Sequence, residues 1–303
     1  MPHRSLNLPR RDFLKGALAL SAAGILHLPA LAEPKKRVIA NRFVFLADIH
    51  IRKLPIKTVY TPSPFAKVVL QILAMPKLPS AVVVCGDCAG LKGKPEDYAL
   101  LADLLKPLRE GGVPVYLILG NHDDRDALWK AFPKQKGKEG VAFKDPKHLK
   151  IVSAPNVHLV MLDSKITGDF RYGRLGKDQM AWLDRKLGTL QERPVICLAH
   201  HDANFKDSPL GDYDDMCKIF QKHPQAKAYF FGHAHEWYQK KEKEEGKGNH
   251  WKVCIPSTAY AFKKDEPTGW IDAHFHAKSV DLTLHALDEK HPKHLQELKL
   301  FWK

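Results

Sequence analysis

Val113-Pro114-Val115-Tyr116-Leu117-Ile118-Leu119-Gly120-Asn121-His122-Asp123-Asp124 joins an apolar run to a cluster of polar, chemically capable residues. The run reads as a buried strand of a parallel sheet. Gly120 ends it, and Asp123 is placed to cap a helix expected over Asp124–Phe132. Polar groups at the carboxyl end of a strand stand where open α/β sheets bind ligands. One such triplet also fits a plain turn with a helix cap, but four further strand ends repeat the arrangement. Asp48-Ile49-His50 follows Phe43–Ala47, and Gly86-Asp87 follows Val82–Cys85. His200-His201 follows Val195–Ala199, and Gly232-His233-Ala234-His235 follows Ala228–Phe231.

The ordered set D-x-H, G-D, G-N-H-D, H and G-H-x-H resembles the calcineurin-like metallophosphoesterases. The resemblance covers residues 40–286 and implies an α/β fold, a four-layer αββα sandwich. Smaller details are similar to the cyclic-nucleotide-phosphodiesterase-like (class III) branch. They are Asp124-Arg125, the segment Leu175–Leu187 with Trp182-Leu183, and Pro256-Ser257-Thr258-Ala259-Tyr260. Relatives there often carry Pro after the paired histidines, whereas this chain has Asp202-Ala203-Asn204, which bears on substrate choice. The histidine of the first block sets purple acid phosphatases aside.

The residue types carry the chemistry. In an extended segment the side chains of Asp48 and His50, two apart, point the same way and can chelate one ion. Carboxylate with imidazole suits Zn, Mn or Fe better than Ca or Mg. By resemblance, Asp48, His50, Asp87 and His235 hold one metal, and Asp87, Asn121, His200 and His233 hold the other. Two ions about 3.5–4 Å apart would clamp phosphoryl oxygens and lower a water's pKa toward about 7. The implied reaction is phosphoester hydrolysis by a metal-bound hydroxide, on small phosphodiesters first of all. His122 is then the acid facing the leaving oxygen, with Asp123 or Asp87 as its carboxylate partner. Asn121, His200 and Arg125 are candidate substrate contacts, and Arg125 equally suits a helix start. Adjacent strand residues face opposite ways, so His201 is not expected to share the role of His200. His274 and His276 read as ordinary strand residues.

The remaining sequence sets the context. At 303 residues and 44% apolar content the chain can bury a large core. Arg10-Arg11-Asp12-Phe13-Leu14-Lys15, the apolar stretch Gly16–Leu31 and Ala30-Leu31-Ala32 resemble a twin-arginine export signal. Residues 1–32 are therefore expected to be a signal peptide, 33–288 the catalytic domain and 289–303 a basic tail. The export machinery would be a partner and the location periplasmic or otherwise exported. No transmembrane segment is expected in the mature chain. The net charge is +14, and losing residues 1–32 removes Arg4, Arg10, Arg11 and Lys15 with Asp12. That charge keeps a nuclease open, yet no run interleaves Lys or Arg with aromatics as single-strand binders do. An exported phosphomonoesterase and a non-catalytic binding protein are the other readings. Five cysteines give no framework of disulfides, and Cys85-x-x-Cys88 lacks a partner pair for a zinc knuckle. Lys240–Glu245 reads as a solvated hairpin tip. Helices are expected over Pro64–Leu73, Pro95–Leu108, Lys177–Leu187 and Asp212–Lys222, and late strands over Trp251–Ile255, Trp270–Phe275 and Val280–Leu284.

Overall fold

In strand β1 (Val38–Leu46) the side chains alternate between two apolar surroundings. Phe43 and Phe45 enter one core, while Val44 and Leu46 enter another, and all four are fully buried. A strand buried on both faces belongs to a sheet covered on both sides, and the rest of the chain supplies the covers. The computed structural model describes residues 36–53, 62–203, 205–206, 208–243 and 247–302. The expected signal peptide, residues 1–32, and the junction near Glu33 lie outside the described residues.

The first sheet contains β1, β2 (Leu78–Cys85), β3 (Val115–Ile118), β10 (Gly269–Phe275), β11 (Ser279–Ala286) and β12 (Glu297–Phe301). Its strand order is β12-β11-β10-β1-β2-β3, with β1, β2 and β3 parallel. The second sheet contains β4 (Lys150–Ala154), β5 (Val157–Met161), β6 (Val195–Leu198), β7 (Ala226–Phe231), β8 (Tyr238–Lys241) and β9 (Trp251–Cys254). Its order is β4-β5-β6-β7-β9-β8, parallel from β5 through β9. The inner faces meet through Phe43, Phe45, Val83, Met161, Leu198 and Phe230. Each large side chain so buried contributes about 1.5–3 kcal/mol.

Helices cover the outer faces. In α1 (Ser63–Ala74) the residues Phe65, Val68, Val69 and Ile72 recur at helical spacing and lie on the first sheet. They are joined there by α2 (Pro95–Leu104), the short α3 (Lys106–Glu110) and α4 (Arg125–Ala131). A further single turn, α5, spans Lys138–Val141. On the second sheet, α6 (Lys177–Thr189) buries Trp182, Leu183 and Leu187, and α7 (Tyr213–Lys222) buries Met216, Cys217 and Phe220. The layers are helix, sheet, sheet, helix, as the resemblance implies. No helix among the described residues is long and apolar enough to cross a membrane.

Three sequence expectations change. The stretch read only as a basic tail carries β12, because Leu298 and Leu300 alternate with polar residues and reach the inner core. Lys240–Glu245 does join two antiparallel strands, β8 and β9, and residues 244–245 lie outside the described set. Its Glu242, however, is buried and ion-paired with Lys252 at 2.9 Å. The helix expected over Pro95–Leu108 divides at Leu105 into α2 and α3, because Leu105 and Pro107 begin a new turn there.

Candidate metal centre

The strand ends β1, β2 and β3 of one sheet meet β6 and β7 of the other at a single edge of the sandwich. Backbone pairing fixes the first three loops together. Asp48 N donates to Gly86 O at 3.1 Å, and His50 N donates to Asp87 O at 2.9 Å. Asp123 completes the clamp: its carboxylate accepts from the backbone N–H of Cys88, Ala89 and Gly120 and from the Tyr98 hydroxyl, at 2.9–3.0 Å. It is therefore a brace between the β2 and β3 loops. The helix cap falls instead to Asp124, whose Oδ1 accepts from Ala127 N at 2.8 Å.

All seven expected ligands converge and are buried. His235 Nε2 lies 3.3 Å from Asp48 Oδ1 and 3.4 Å from His50 Nε2. Asp87 turns its two oxygens to different neighbours, Oδ2 to His50 at 3.7 Å and Oδ1 to His200 at 3.5 Å. His200 Nε2 is 3.0 Å from Asn121 Oδ1 and 3.2 Å from His233 Nδ1. Asp48-His50-His235 and Asp48-Asp87-His200 thus form two overlapping donor clusters, with His50-Asp87-His122 beside them. The two clusters share Asp48, Asp87 links the second to the third, and the overlap fits a dinuclear divalent-metal site.

The backbone is bent to achieve this. Asp48, His50, Asp87, His233 and His235 all have positive φ, between 44° and 67°. Such conformations are uncommon outside glycine and cluster at functional sites. The Asp48/His50 pair is therefore not held by an extended segment, as its spacing suggests. Two left-handed residues turn their side chains to the centre, while Ile49 between them packs into the helix-side core. Gly86 has φ +85°, and a Cβ there would stand 2.3 Å from His200 Nδ1, so only glycine lets that ring lie against the loop.

The electrostatics favour a cation. Asp48 Oδ1 is buried without a hydrogen-bond partner, and so is His235 Nδ1. An orphaned buried carboxylate oxygen is costly unless a positive charge faces it. Burial pulls the His200 pKa down, but Asp87 and Asp48 outweigh it and raise it to about 9. The same negative field attracts a divalent ion. Burial holds His50 down at about 4 and His233 at about 3, so both are neutral imidazoles with a lone pair to give. His200 Nδ1 donates to Cys85 O at 2.9 Å, which aims Nε2 at the carboxylates. The donor types and the orphaned oxygen fit transition ions.

His122 stands next to these donors and is more exposed than any of them, with 28% of its side chain accessible. Its Nδ1 lies 2.9 Å from Leu91 O, and a carbonyl only accepts, so Nδ1 carries the hydrogen. Nε2 points to Asp87 Oδ2 at 3.9 Å. Asp87, not Asp123, is thus the carboxylate it faces. Arg125 is committed elsewhere: Nε to Asp163 at 2.8 Å, Nη1 to Thr167 and Nη2 to Lys165 O. Those bonds match the helix-start alternative and leave its guanidinium serving the fold. His201 Nδ1 and the Ser164 hydroxyl are hydrogen-bonded at 2.7 Å, and His201 joins no donor cluster among the described residues. His276 pairs with Asp281, and neither it nor His274 joins a donor cluster among the described residues.

Of the supporting residues, Ser208 and Phe262 carry no sequence signal, while Tyr260 ends the Pro256–Tyr260 block. Ser208 lies 2.6 Å from His233 Nε2, which leaves Nδ1 for the centre. Phe262 stacks on His235 at 4.1 Å, and Tyr260 on His50 at 5.3 Å. In the departure after the paired histidines, Asp202 accepts from Tyr238 OH at 2.7 Å, and Asn204 lies outside the described residues. The five cysteines are buried thiols, and Cys85 and Cys88 donate to Ala199 O and Ile118 O.

A family model described as calcineurin-like phosphoesterase matches residues 41–237. A probable glycerophosphodiester phosphodiesterase from Arcobacter nitrofigilis is 27% identical over 204 residues, 63% of this chain and 71% of the relative. A 3',5'-cyclic-nucleotide phosphodiesterase from Nostoc is 24% identical over 232 residues, 74% of this chain and 80% of the relative. Among solved structures, a dimetal phosphatase from Danio rerio superposes with a TM-score of 0.67 at 14% identity, over 87% of this chain and 99% of that one.

Proposed function

The chain belongs to the calcineurin-like phosphoesterase family, a hydrolase with a dimetal site, and from that premise we propose that it cleaves small phosphodiesters. The observation that carries the reading is the pairing of the donor cluster with His122. Seven buried donors hold charge at one edge of the sandwich, and one half-exposed imidazole with a fixed hydrogen on Nδ1 stands beside them. Asp48, His50, Asp87 and His235 would hold one ion, and Asp87, Asn121, His200 and His233 the other. Bound there, Mn, Fe or Zn supplies Lewis acidity toward phosphoryl oxygens and makes water a nucleophile at neutral pH.

The chain's own groups do the rest. The Leu91 carbonyl holds His122 by its Nδ1–H, so Nε2 faces the site and is the nitrogen that carries the second proton of the imidazolium form there. That proton serves the departing alcohol. Phe262 and Tyr260 pack on the ligand rings and restrain their rotation. Diesters are favoured over monoesters because both relatives named above are phosphodiesterases by name, while a proton donor at His122 suits any alkoxide leaving group. The net charge of +14 supports a second reading, a nuclease of the same fold.

The test is turnover by the metal-loaded protein on a diester, a monoester, a cyclic nucleotide and single-stranded DNA. Small diesters should give the highest kcat/KM. Preference for the monoester or for DNA would overturn the diesterase reading. We further propose export by the twin-arginine route with removal of residues 1–32, motivated by Arg10-Arg11 and Ala30-Leu31-Ala32. Changing both arginines to lysine should strand the precursor in the cytoplasm, and an intact wild-type chain in the cytosol would refute it.

A further inference from the structure

A cavity of about 360 Å³ opens beside His122, whose imidazole forms part of the lining. Two of its other walls are tied to the metal centre by their backbones. Leu91 gives its carbonyl to His122, and Phe170 gives its carbonyl to Asn121 Nδ2 at 2.8 Å. The cavity therefore borders His122, the group placed beside the donor cluster. A volume of this size suits a small-molecule fragment. Another cavity of about 310 Å³, bordered by Lys147 and Arg174, does not reach His122.

The lining is basic. Arg52, Lys53, Lys92 and Lys94 face Glu96 and Asp97. Lys94 is paired with Glu96 at 3.8 Å, and Asp97 accepts from the Lys53 backbone N–H at 2.8 Å. The side-chain charges of Lys53 and Lys92 thus outnumber the one remaining carboxylate. The Arg52 stem lies across Gly90, where a Cβ would stand 2.3 Å from its Cδ, so this glycine lets the arginine cover the floor. Lys92 and Lys165 both hold their ammonium groups over the Phe170 ring, at 5.9 and 5.6 Å. Cations at the edge of a low-dielectric cavity raise the local concentration of anions.

We propose that this cavity receives the leaving half of the substrate and selects alcohols that carry a second negative charge, a phosphate or a carboxylate. The inference rests on the diesterase reading. Water's oxygen bonds to phosphorus, the bond from phosphorus to the alcohol oxygen breaks, and the alcohol departs with a proton. Its distal anion stays against Lys53 and Lys92 until release.

Three methyl phosphodiesters test it, identical except that the second chain ends in phosphate (2-phosphoethyl), carboxylate (2-carboxyethyl) or hydroxyl (2-hydroxyethyl). The wild-type, metal-loaded protein should release the anionic alcohols with a kcat/KM about tenfold above the neutral one, mostly through KM. Lys53→Ala with Lys92→Ala should erase that ratio while thermal unfolding stays within a few degrees, since the Lys53 backbone bond to Asp97 survives. A phosphate arm favoured over the carboxylate arm identifies the anion. Equal rates on all three diesters, or a preference that survives the double variant, would overturn the proposal and leave the diesterase reading intact. If no diester is cleaved, the diesterase reading has failed. Calorimetric titration of the metal-loaded protein with 2-hydroxyethyl phosphate then decides: tenfold weaker binding by the double variant supports the cavity's role, and equal affinity refutes it.

Discussion

Arg125→Met separates a brace from a substrate contact. The change keeps the volume of the side chain and removes its charge. Asp163, fully buried, would lose its ionic partner and keep two backbone donors, His148 N at 2.8 Å and Lys165 N at 2.9 Å. Breaking one side of a buried pair costs about 3–5 kcal/mol. Summing the bonds gives a similar figure: a charge-assisted bond is worth about 1.5–3 kcal/mol and each of the two 3.2 Å bonds about 0.5–1.5. The two retained donors place the expectation near the lower end, about 3 kcal/mol. For a domain of this size each kcal/mol moves Tm by about 2–4 °C, so the fall should be about 6–12 °C. Calorimetry of the metal-loaded protein measures it, with KM for bis(4-nitrophenyl) phosphate at 25 °C as the second readout. The pH dependence has a definite sign. Burial pushes the Asp163 carboxyl up, but Arg125 outweighs it and holds the pKa below the ordinary value. That stability is complete above the unfolded carboxylate pKa and is lost as pH falls through the folded one. The gap between wild type and variant should hold at neutral pH and narrow only in acid, below about pH 4. A Tm change under 2 °C together with a large rise in KM would show that Arg125 binds substrate and that the brace argument is wrong.

His122→Ala should retain its metals, lose activity modestly on nitrophenyl esters and lose about 10²–10⁴-fold on alkyl diesters, whose leaving alkoxides need a proton. Equal losses on both, with metal content unchanged, would assign it charge stabilisation instead. Asp87→Asn removes one anionic oxygen from a residue facing both donor clusters, so metal analysis should find occupancy lowered at both positions; loss of one ion alone would contradict bridging. Tyr98→Phe deletes the hydroxyl that donates to Asp123 and accepts from Asp124 N, at 2.9 and 2.8 Å. It should cost about 1–3 kcal/mol in denaturant unfolding, and a change under 0.5 would remove Tyr98 from the brace.

The strand ends were legible because buried strands are apolar and their termini are not. Phe43–Ala47 running into Asp48 and Val195–Ala199 into His200 announce both the sheet and its ligand edge. Helices α1, α6 and α7 fall where their apolar spacing places them. The hairpin of β4 and β5 escaped, because Lys150–Ala154 mixes Lys, Ser and apolar residues without a clean period, and only pairing across Pro155-Asn156 defines it. The left-handed residues were invisible for another reason. Asp and His adopt positive φ more readily than most residues, but the sequence does not mark which of them do; at Asp48, His50 and Asp87 the hydrogen bonds between the β1 and β2 loops hold it. Ser208 and Asp163 escaped because their partners, His233 and Arg125, lie 25 and 38 residues away at no regular spacing.

The donors come from both sheets, so the site is complete only when the two sheets dock in register. Asp48, Asp87 and Asn121 follow strands of one sheet, while His200, His233 and His235 follow strands of the other. His233 N also donates to Asp48 Oδ2 across 185 residues of chain, at 2.9 Å. If one strand slipped by a single residue, its terminal ligand would move by about 3.3 Å, more than a coordination bond tolerates. A chain whose sheets have docked out of register can pack apolar faces and still fail to chelate. Metal affinity therefore discriminates the native sandwich from near-native collapses that hydrophobic burial alone would accept.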